Sequence, residues 1–202
     1  MRVGGLYTTD GTSKEISCDK VRGAVAFEMP FKVRFQEKFD APKSAMFDKF
    51  ISWTEHSDVR VKNYSGVGTY ELKANVPKLK KNEKAYLCFG KIMELGRIKV
   101  NGKLAGTLWK APYVLEITKF LKVGENKIEV EVGNTWVNRC LYDATLPPEK
   151  RITWANTMQY HFPIKNTKPL LNQGMDRSWK QGLIPSGIIG DSKIIFSKMI
   201  KK

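Results

Sequence analysis

The chain has 202 residues, of which 42% are hydrophobic and 27% charged, so it can build one domain with a sizeable core and extensive disorder is not expected. No run of about 18 apolar residues is present, so we expect no membrane-spanning segment and no membrane partner. The first residues lack the apolar core of a signal peptide. The formal net charge of +15 would suit an anionic partner, but most lysines stand singly or in pairs and no nucleic-acid-binding motif is present, so no nucleic acid is expected.

Residues 1–26 are rich in glycine and polar residues and are expected to form an N-terminal segment that precedes a single domain over residues 27–202. Residues 29–35 alternate aromatic or aliphatic side chains with lysine and arginine, which predicts a half-buried strand. Residues 44–53 are ambiguous between a short helical turn and an irregular segment that packs on the strands. No internal repeat indicates a second domain.

The alternation becomes clearer from residue 66 onward. Residues 66–76 alternate regularly and stop at Pro77, which cannot donate a hydrogen bond to a neighbouring strand. A further strand is predicted at residues 85–89, after a lysine-rich turn.

The next two strands are predicted to form a tight hairpin. Residues 95–100 and 103–109 flank the dipeptide Asn101-Gly102. Asn-Gly between alternating runs is a strong hairpin signal, because both residues tolerate the positive φ of a type I′ turn.

Three more strands are predicted toward the C-terminus, at residues 113–117, 127–132 and 193–196. Many strands at intervals of about 8–12 residues, with almost no helix, indicate an all-β fold, an antiparallel β-sandwich or jelly roll. Residues 133–182 are predicted to be long and irregular but ordered, because they are rich in aromatic residues.

Part of this pattern resembles the sugar-binding jelly-roll domain of glycoside hydrolase family 2, which has the galactose-binding-like fold. The resemblance rests on Val100-Asn101-Gly102-Lys103, Gly106, Tyr113, Ile117-Thr118, Leu121, Gly124-Glu125-Asn126 and Val130.

A narrower resemblance is to the C-terminal β-sandwich of family 106 glycoside hydrolases, which are α-L-rhamnosidases. It covers roughly residues 28–196 and rests on Ser52-Trp53-Thr54-Glu55, on residues 64–70 and 106–113, on Asn134-Thr135-Trp136-Val137-Asn138-Arg139, and on residues 183–190. The catalytic carboxylates of such enzymes lie in a (β/α)₈ domain, which takes about 250 residues. The resemblance therefore implies a module or fragment that depends on the catalytic domain of a parent enzyme, and a secreted or periplasmic parent.

Catalysis is not expected from this chain alone, because no spacing picks out the pair of carboxylates that a glycosidase needs. The cysteines, Cys18, Cys88 and Cys140, have no metal-ligand spacing and are interpreted as structural. No cofactor is expected. A structural calcium ion, implied by related sandwiches, stays open because no Asp-x-Asp loop indicates one.

A carbohydrate site needs flat aromatic rings for the C–H face of a sugar and polar side chains for its hydroxyls. The best candidates lie at strand ends or in the loops that follow them, and they are Trp109, Lys110, Tyr113, Trp136, Asn138, Arg139 and Asp143. For any single tryptophan, burial in the core or in an interface with a catalytic domain is the favoured interpretation, since tryptophan is highly buried on average.

The predicted function is a noncatalytic carbohydrate-binding or supporting module of a glycoside hydrolase, similar in its parent to an α-L-rhamnosidase or a β-galactosidase. Its expected partners are carbohydrate and the parent's catalytic domain. A purely structural interdomain module and an anion-binding protein that uses its basic surface are the alternatives.

Overall fold

The computed structural model describes residues 6–7, 13–14, 21–37, 40–153 and 182–198. Its strands are β1 (Leu6–Tyr7), β2 (Ser13–Lys14), β3 (Val21–Ala26), β4 (Phe31–Phe35), β5 (Ser44–Phe47), β6 (Val67–Val76), β7 (Glu83–Cys88), β8 (Lys91–Met93), β9 (Leu95–Val100), β10 (Lys103–Leu108), β11 (Val114–Glu116), β12 (Gly124–Gly133), β13 (Gly187–Ile189) and β14 (Lys193–Lys198). Its helices are α1 (Val59–Lys62) and α2 (Val137–Thr145), with single 3₁₀ turns at Trp53–Glu55, Thr118–Phe120 and Pro148–Lys150.

Two antiparallel sheets form the body of the domain. The larger has six strands in the order β10-β9-β12-β6-β4-β5, and the smaller has four in the order β11-β7-β14-β3. Two-stranded pairings, β1 with β2 and β13 with β8, lie outside them. The all-β, antiparallel sandwich predicted from the alternation is confirmed. No helix in the described part of the chain is long and apolar enough to cross a membrane.

The core lies between the sheets and is densest on the long central strands β6 and β12, which pair over their full length. Every second side chain of these strands points inward and is almost completely buried, as for Tyr70, Leu72, Ile128 and Val130. Burying one aliphatic side chain stabilises the fold by about 1.5–3 kcal/mol. The period of two in the sequence is therefore the direct cause of the sandwich.

The predicted hairpin between β9 and β10 is confirmed. Asn101 has a φ of 50° and Gly102 a φ of 79°, and β9 and β10 pair antiparallel around them.

The structure differs from the sequence prediction in residues 44–53 and 133–153. Residues 44–53 contain the edge strand β5 and a 3₁₀ turn with a Ser52–Glu55 capping box, where the sequence left a helical turn and an irregular segment open. Residues 133–153 contain helix α2, where irregular chain was predicted. The helix escaped detection because its buried side chains include Asn138, Arg139 and Asp143, so an apolar helical period is missing.

Strand β3 falls within the segment 1–26 and pairs with β14, so the smaller sheet begins before residue 27. The rest of that segment, apart from β1 and β2, and the predicted irregular residues 154–181 lie outside the described residues, as does Cys18.

Candidate functional site

The large sheet ends in two neighbouring loops that carry tryptophans. Leu108 of β10 pairs with Gly96 of β9, and Gly96 pairs with Val132 of β12. Because adjacent strands lie about 4.8 Å apart, the ends of β10 and β12 are separated by roughly 10 Å. Trp109 follows β10 directly and Trp136 follows β12 by a few residues. We call this edge of the domain, which carries Trp109 and Trp136, the aromatic end.

Both tryptophans are exposed. Trp109 has 65% and Trp136 51% of its surface open to solvent. The interpretation that they fill the sandwich core is therefore wrong for both. The tryptophan that lies in the core is Trp53, which is fully buried. The Nζ atom of Lys110 lies over the Trp109 ring, 5.2 Å from its centre, so a cation contacts this exposed indole.

Tyr113 is half-buried and packs against the core in the connection from β10 to β11. Its carbonyl oxygen accepts a hydrogen bond of 2.9 Å from the backbone N–H of Phe89. Tyr113 is therefore less exposed than Trp109 and Trp136.

Asn138 uses its side chain to hold another part of the chain. Its Nδ2 donates to the carbonyl of Ile184 at 2.7 Å, and its Oδ1 accepts from the backbone N–H of Ile184 at 2.7 Å. Nδ2 also donates to Ser186 Oγ at 3.1 Å. Asn138 is only 2% exposed. Its side-chain amide both donates to and accepts from the backbone of Ile184, as the backbone of a neighbouring strand would.

Arg139 and Asp143 form a buried ion pair one turn apart on α2, with 2.8 Å between Arg139 Nη2 and Asp143 Oδ1. The other carboxylate oxygen of Asp143 accepts hydrogen bonds from the backbone N–H groups of Ile152 (3.1 Å) and Thr153 (2.7 Å) and from Thr153 Oγ1 (2.6 Å). Burial works to raise the pKa of Asp143, but the hydrogen bonds from Thr153 and Arg139 outweigh it and hold the pKa below its usual range.

The predicted site residues thus separate into groups. Trp109, Lys110 and Trp136 lie exposed at the aromatic end, whereas Asn138, Arg139 and Asp143 are buried and bonded to protein atoms. The buried group holds helix α2, which follows Trp136, against residues 152–153 and 184–186.

A polar network that the sequence did not indicate joins these loops. Asn134 Nδ2 donates to the carbonyl of Tyr64 at 2.8 Å and to Ser186 Oγ at 2.9 Å, and its Oδ1 accepts from the Gly66 N–H at 2.8 Å. Ser186 N–H donates in turn to Ser52 Oγ at 3.0 Å. Asn134 was marked only as part of a family-like stretch. Ser186 was likewise only part of such a stretch, residues 183–190, because its partners Ser52 and Asn138 lie 134 and 48 positions away and give no local signal.

The carboxylates of the large sheet face outward and are paired with cations. Glu131 accepts from Lys99 at 2.8 Å and from Arg97, and Glu71 is paired with Lys32 at 3.0 Å and with Arg34. The hydrogen bond from Lys99 is the main reason that the pKa of Glu131 is lowered. Burial works to raise the pKa of Glu71, but its bonds to Lys32 and Arg34 prevail and lower it. A glycosidase acid needs the opposite shift.

No cluster of three or more histidine, cysteine, aspartate or glutamate side chains suited to a metal ion occurs within the described ranges. Cys140 is buried, and burial raises the pKa of its thiol, so it behaves as a small apolar side chain.

Comparison with known proteins places the domain in a wider context. A putative beta-glucuronidase of Formosa agariphila is 33% identical over 170 residues, which is 80% of this chain but 15% of that protein. The rhamnosidase from Novosphingobium sp. PP1Y superposes with a TM-score of 0.67 and 28% identity over 93% of this chain and 16% of that enzyme. A β-glucuronidase from Ruminococcus gnavus shares the fold, with a TM-score of 0.50 and 21% identity over 66% of this chain and 26% of its own.

The chain therefore spans about one seventh of the length of the curated relative that it matches. Residues 43–190, which are most of the chain, match the model of the glycosyl hydrolase 2 galactose-binding domain-like family, and strands β3, β4 and β14 lie outside the matched range. The chain belongs to the glycosyl hydrolase 2 galactose-binding domain-like family.

Proposed function

We propose that this chain is a noncatalytic module of a larger glycoside hydrolase and that it contacts carbohydrate through the aromatic end. The observation that carries the proposal is the exposure of Trp109 and Trp136 on neighbouring loops of one sheet edge. An exposed tryptophan costs hydrophobic free energy in water, and its flat face suits the C–H face of a sugar ring.

Lys110 supports the same surface. Its ammonium group beside the Trp109 ring offers a donor to sugar hydroxyls or carboxylates at the rim of the stacking face. The buried bonds of Asn138 and Asp143 reduce the freedom of the segment that follows Trp136, so less conformational entropy is lost there when a ligand binds.

We infer that the catalytic carboxylates belong to another domain of the parent enzyme. The relatives named as a putative beta-glucuronidase and a rhamnosidase are six to seven times longer than the matched part, which leaves ample chain for such a domain. The likeness to the rhamnosidase over 93% of the chain supports a rhamnosidase-like parent.

A purely structural interdomain role is the second candidate. It is favoured by the internal bonds of Asn138, Arg139 and Asp143, which leave fewer polar groups to face a ligand than the sequence suggested. In that case the aromatic end would pack against the catalytic domain, and the isolated module would bind no sugar.

Glycan-array screening followed by isothermal titration of the strongest binder separates the two roles. We expect Trp109→Ala and Trp136→Ala each to weaken binding by about tenfold, which corresponds to about 1.4 kcal/mol. Val123→Ala, which truncates a 68% exposed side chain outside the aromatic end, is the matched control and should bind as the unmodified chain does. Unchanged binding in both tryptophan variants, or no binding to any glycan at millimolar concentration, would contradict the proposal.

A further inference from the structure

The opposite edge of the sandwich is crowded with lysines. Val76 at the end of β6 pairs with Gly124 at the start of β12, and Val100 at the end of β9 pairs with Lys103. The turns that leave these strands therefore meet at one edge, away from the aromatic end. We call this edge the lysine-rich end, and its exposed lysines are Lys78, Lys80, Lys81, Lys103, Lys119, Lys122 and Lys127.

These lysines form no ion pair within the described part of the chain, whereas most of the acidic groups nearby are engaged. The exception is the exposed Glu28, which lines the same cavity as Lys127. Glu116 pairs with Lys84 at 2.7 Å and Glu125 with Lys73 at 3.1 Å. Glu83 accepts a hydrogen bond of 2.9 Å from the backbone N–H of Lys80. Positive charge therefore remains uncompensated at this end, while the charges on the open face of the large sheet are largely matched.

A hydrogen-bond network holds the lysine-bearing loops in fixed positions. Asn126 is fully buried, accepts from the Lys122 N–H at 2.9 Å, and donates to the carbonyls of Lys122 and Gly124 at 2.8 Å each. Asn101 donates to Asn126 Oδ1 at 2.8 Å and accepts from the Lys127 N–H at 3.1 Å. Asn101 Nδ2 also donates to the Phe120 carbonyl at 2.9 Å. The backbone under the cations is thus ordered before any partner binds, which lowers the entropic cost of binding.

The few aromatic residues at the lysine-rich end bear on whether its partner is a nucleic acid. Phe120 is half-buried with Lys119 Nζ 5.1 Å from its ring centre. The exposed aromatic residues in the described ranges are Trp109 and Trp136, at the other end of the domain. Proteins that bind single-stranded nucleic acid stack its bases on aromatic rings beside the basic groove, and such a platform is absent from the described part of this end.

We propose that the lysine-rich end binds an acidic polysaccharide, a chain that carries carboxylate or sulfate groups. Lysine ammonium groups on separated loops match charges that recur along such a chain, and they need no fixed bidentate geometry. The choice of a polysaccharide over another polyanion rests on the proposed function, in which the partner of the module is a glycan. The surface itself is distinct from the aromatic end.

The test measures the affinity of the 202-residue chain for heparin, polygalacturonate, neutral dextran and a short DNA duplex by biolayer interferometry. The variant Lys103→Gln/Lys119→Gln/Lys122→Gln removes three charges from the lysine-rich end. The variant Lys43→Gln/Lys62→Gln/Lys91→Gln removes three exposed charges before β5, on α1 and on β8, and is the charge-matched control.

We expect binding to heparin or polygalacturonate that weakens steeply with salt and weakens about tenfold more in the first variant than in the control, with equal melting temperatures. Equal losses in both variants, tighter binding to duplex DNA than to both acidic polysaccharides, or binding to none of the polyanions would each overturn the proposal. Trp109→Ala/Trp136→Ala should leave polyanion binding unchanged. A failure of the aromatic-end proposal is thereby distinguishable from a failure of this one.

Discussion

At the scale of single residues, the domain depends on a few buried polar atoms that replace ordinary strand pairing. The hydroxyl oxygen of Tyr70 is one of them, because it accepts from Trp53 Nε1 at 2.7 Å and from the Ile188 N–H at 2.8 Å. It therefore ties the buried tryptophan and strand β13 to the central strand β6. Both donors lie in the core, where water cannot replace a missing acceptor.

Replacement of Tyr70 by phenylalanine should lower the free energy of unfolding by about 2 kcal/mol or more, since two buried donors lose their acceptor. Urea denaturation measures this loss. Tyr142→Phe is the control, because the Tyr142 hydroxyl forms no hydrogen bond within the described ranges and the ring beside Arg139 is kept. A Tyr70 variant as stable as the control would show that the hydroxyl contributes nothing.

Acid should weaken the domain through Asp143. Its pKa is lower in the folded protein than in the unfolded chain, so the unfolded chain binds more protons as the pH falls. The stabilisation is complete above the usual aspartate pKa of about 4 and is lost below it, as the pH falls through the lowered pKa.

We therefore expect the stability gap between the unmodified chain and Asp143→Asn to be largest near neutral pH and to shrink as the pH is lowered below about 4. Urea denaturation across this pH range gives the gap. Asp48→Asn alters an exposed residue and should show little gap at any pH. A gap for Asp143→Asn that stays constant or grows in acid contradicts the assigned pKa direction.

The sequence shows that Asn138, Arg139 and Asp143 can form hydrogen bonds and ion pairs. It does not show that they bond to other parts of the protein and not to a ligand. The Asn138 side chain pairs with Ile184 and that of Asp143 with residues 152 and 153, and local patterns do not connect these segments to α2. The Arg139 side chain pairs with Asp143 one turn away. The exposure of Trp109 and Trp136 was equally hidden, because average burial favours the core for any tryptophan.

At the scale of elements, the turn between β9 and β10 requires a residue that can adopt a positive φ. Gly102 has a φ of 79°, and a Cβ added there would meet no atom within 4 Å. Its requirement for glycine is therefore purely conformational.

Gly102→Ala should cost about 1–2 kcal/mol of unfolding free energy, which is the penalty for an L-residue in the left-handed region. Thermal unfolding measures it. Gly133→Ala is the matched control, since a Cβ there would meet Val67 Cγ2 at an ordinary 3.9 Å and the φ lies outside the left-handed region. A Gly102 variant no less stable than the Gly133 variant would contradict the type I′ assignment.

Strands were predictable where their period of two is complete, as in β6, β9 and β12, because one face of the large sheet is buried and the other carries ion pairs. Strand β5 was missed because it is a short edge strand with one fully buried side chain, Phe47. Helix α2 was missed because its hidden face is polar. Strands and helices could thus be predicted from the sequence only where the buried side chains are the hydrophobic ones.

At the scale of the whole molecule, the sandwich holds two chemically different ends apart. The aromatic end joins exposed indoles with polar loops that are bonded through Asn134 and Ser186. The lysine-rich end carries lysines that form no ion pair with the described residues, on strand ends and loops that are bonded through Asn101 and Asn126. Family membership fixes the fold, and the two ends carry the proposals about what the module contacts.

The most direct test of the central proposal follows the indole N–H signals of the five tryptophans by two-dimensional NMR while the strongest array glycan is added. Single Trp→Phe variants assign the signals. We predict that the signals of Trp109 and Trp136 shift in proportion to occupancy, whereas that of the buried Trp53 stays in place. Saturable binding that leaves both Trp109 and Trp136 unshifted, or the absence of any glycan that binds, would contradict the account.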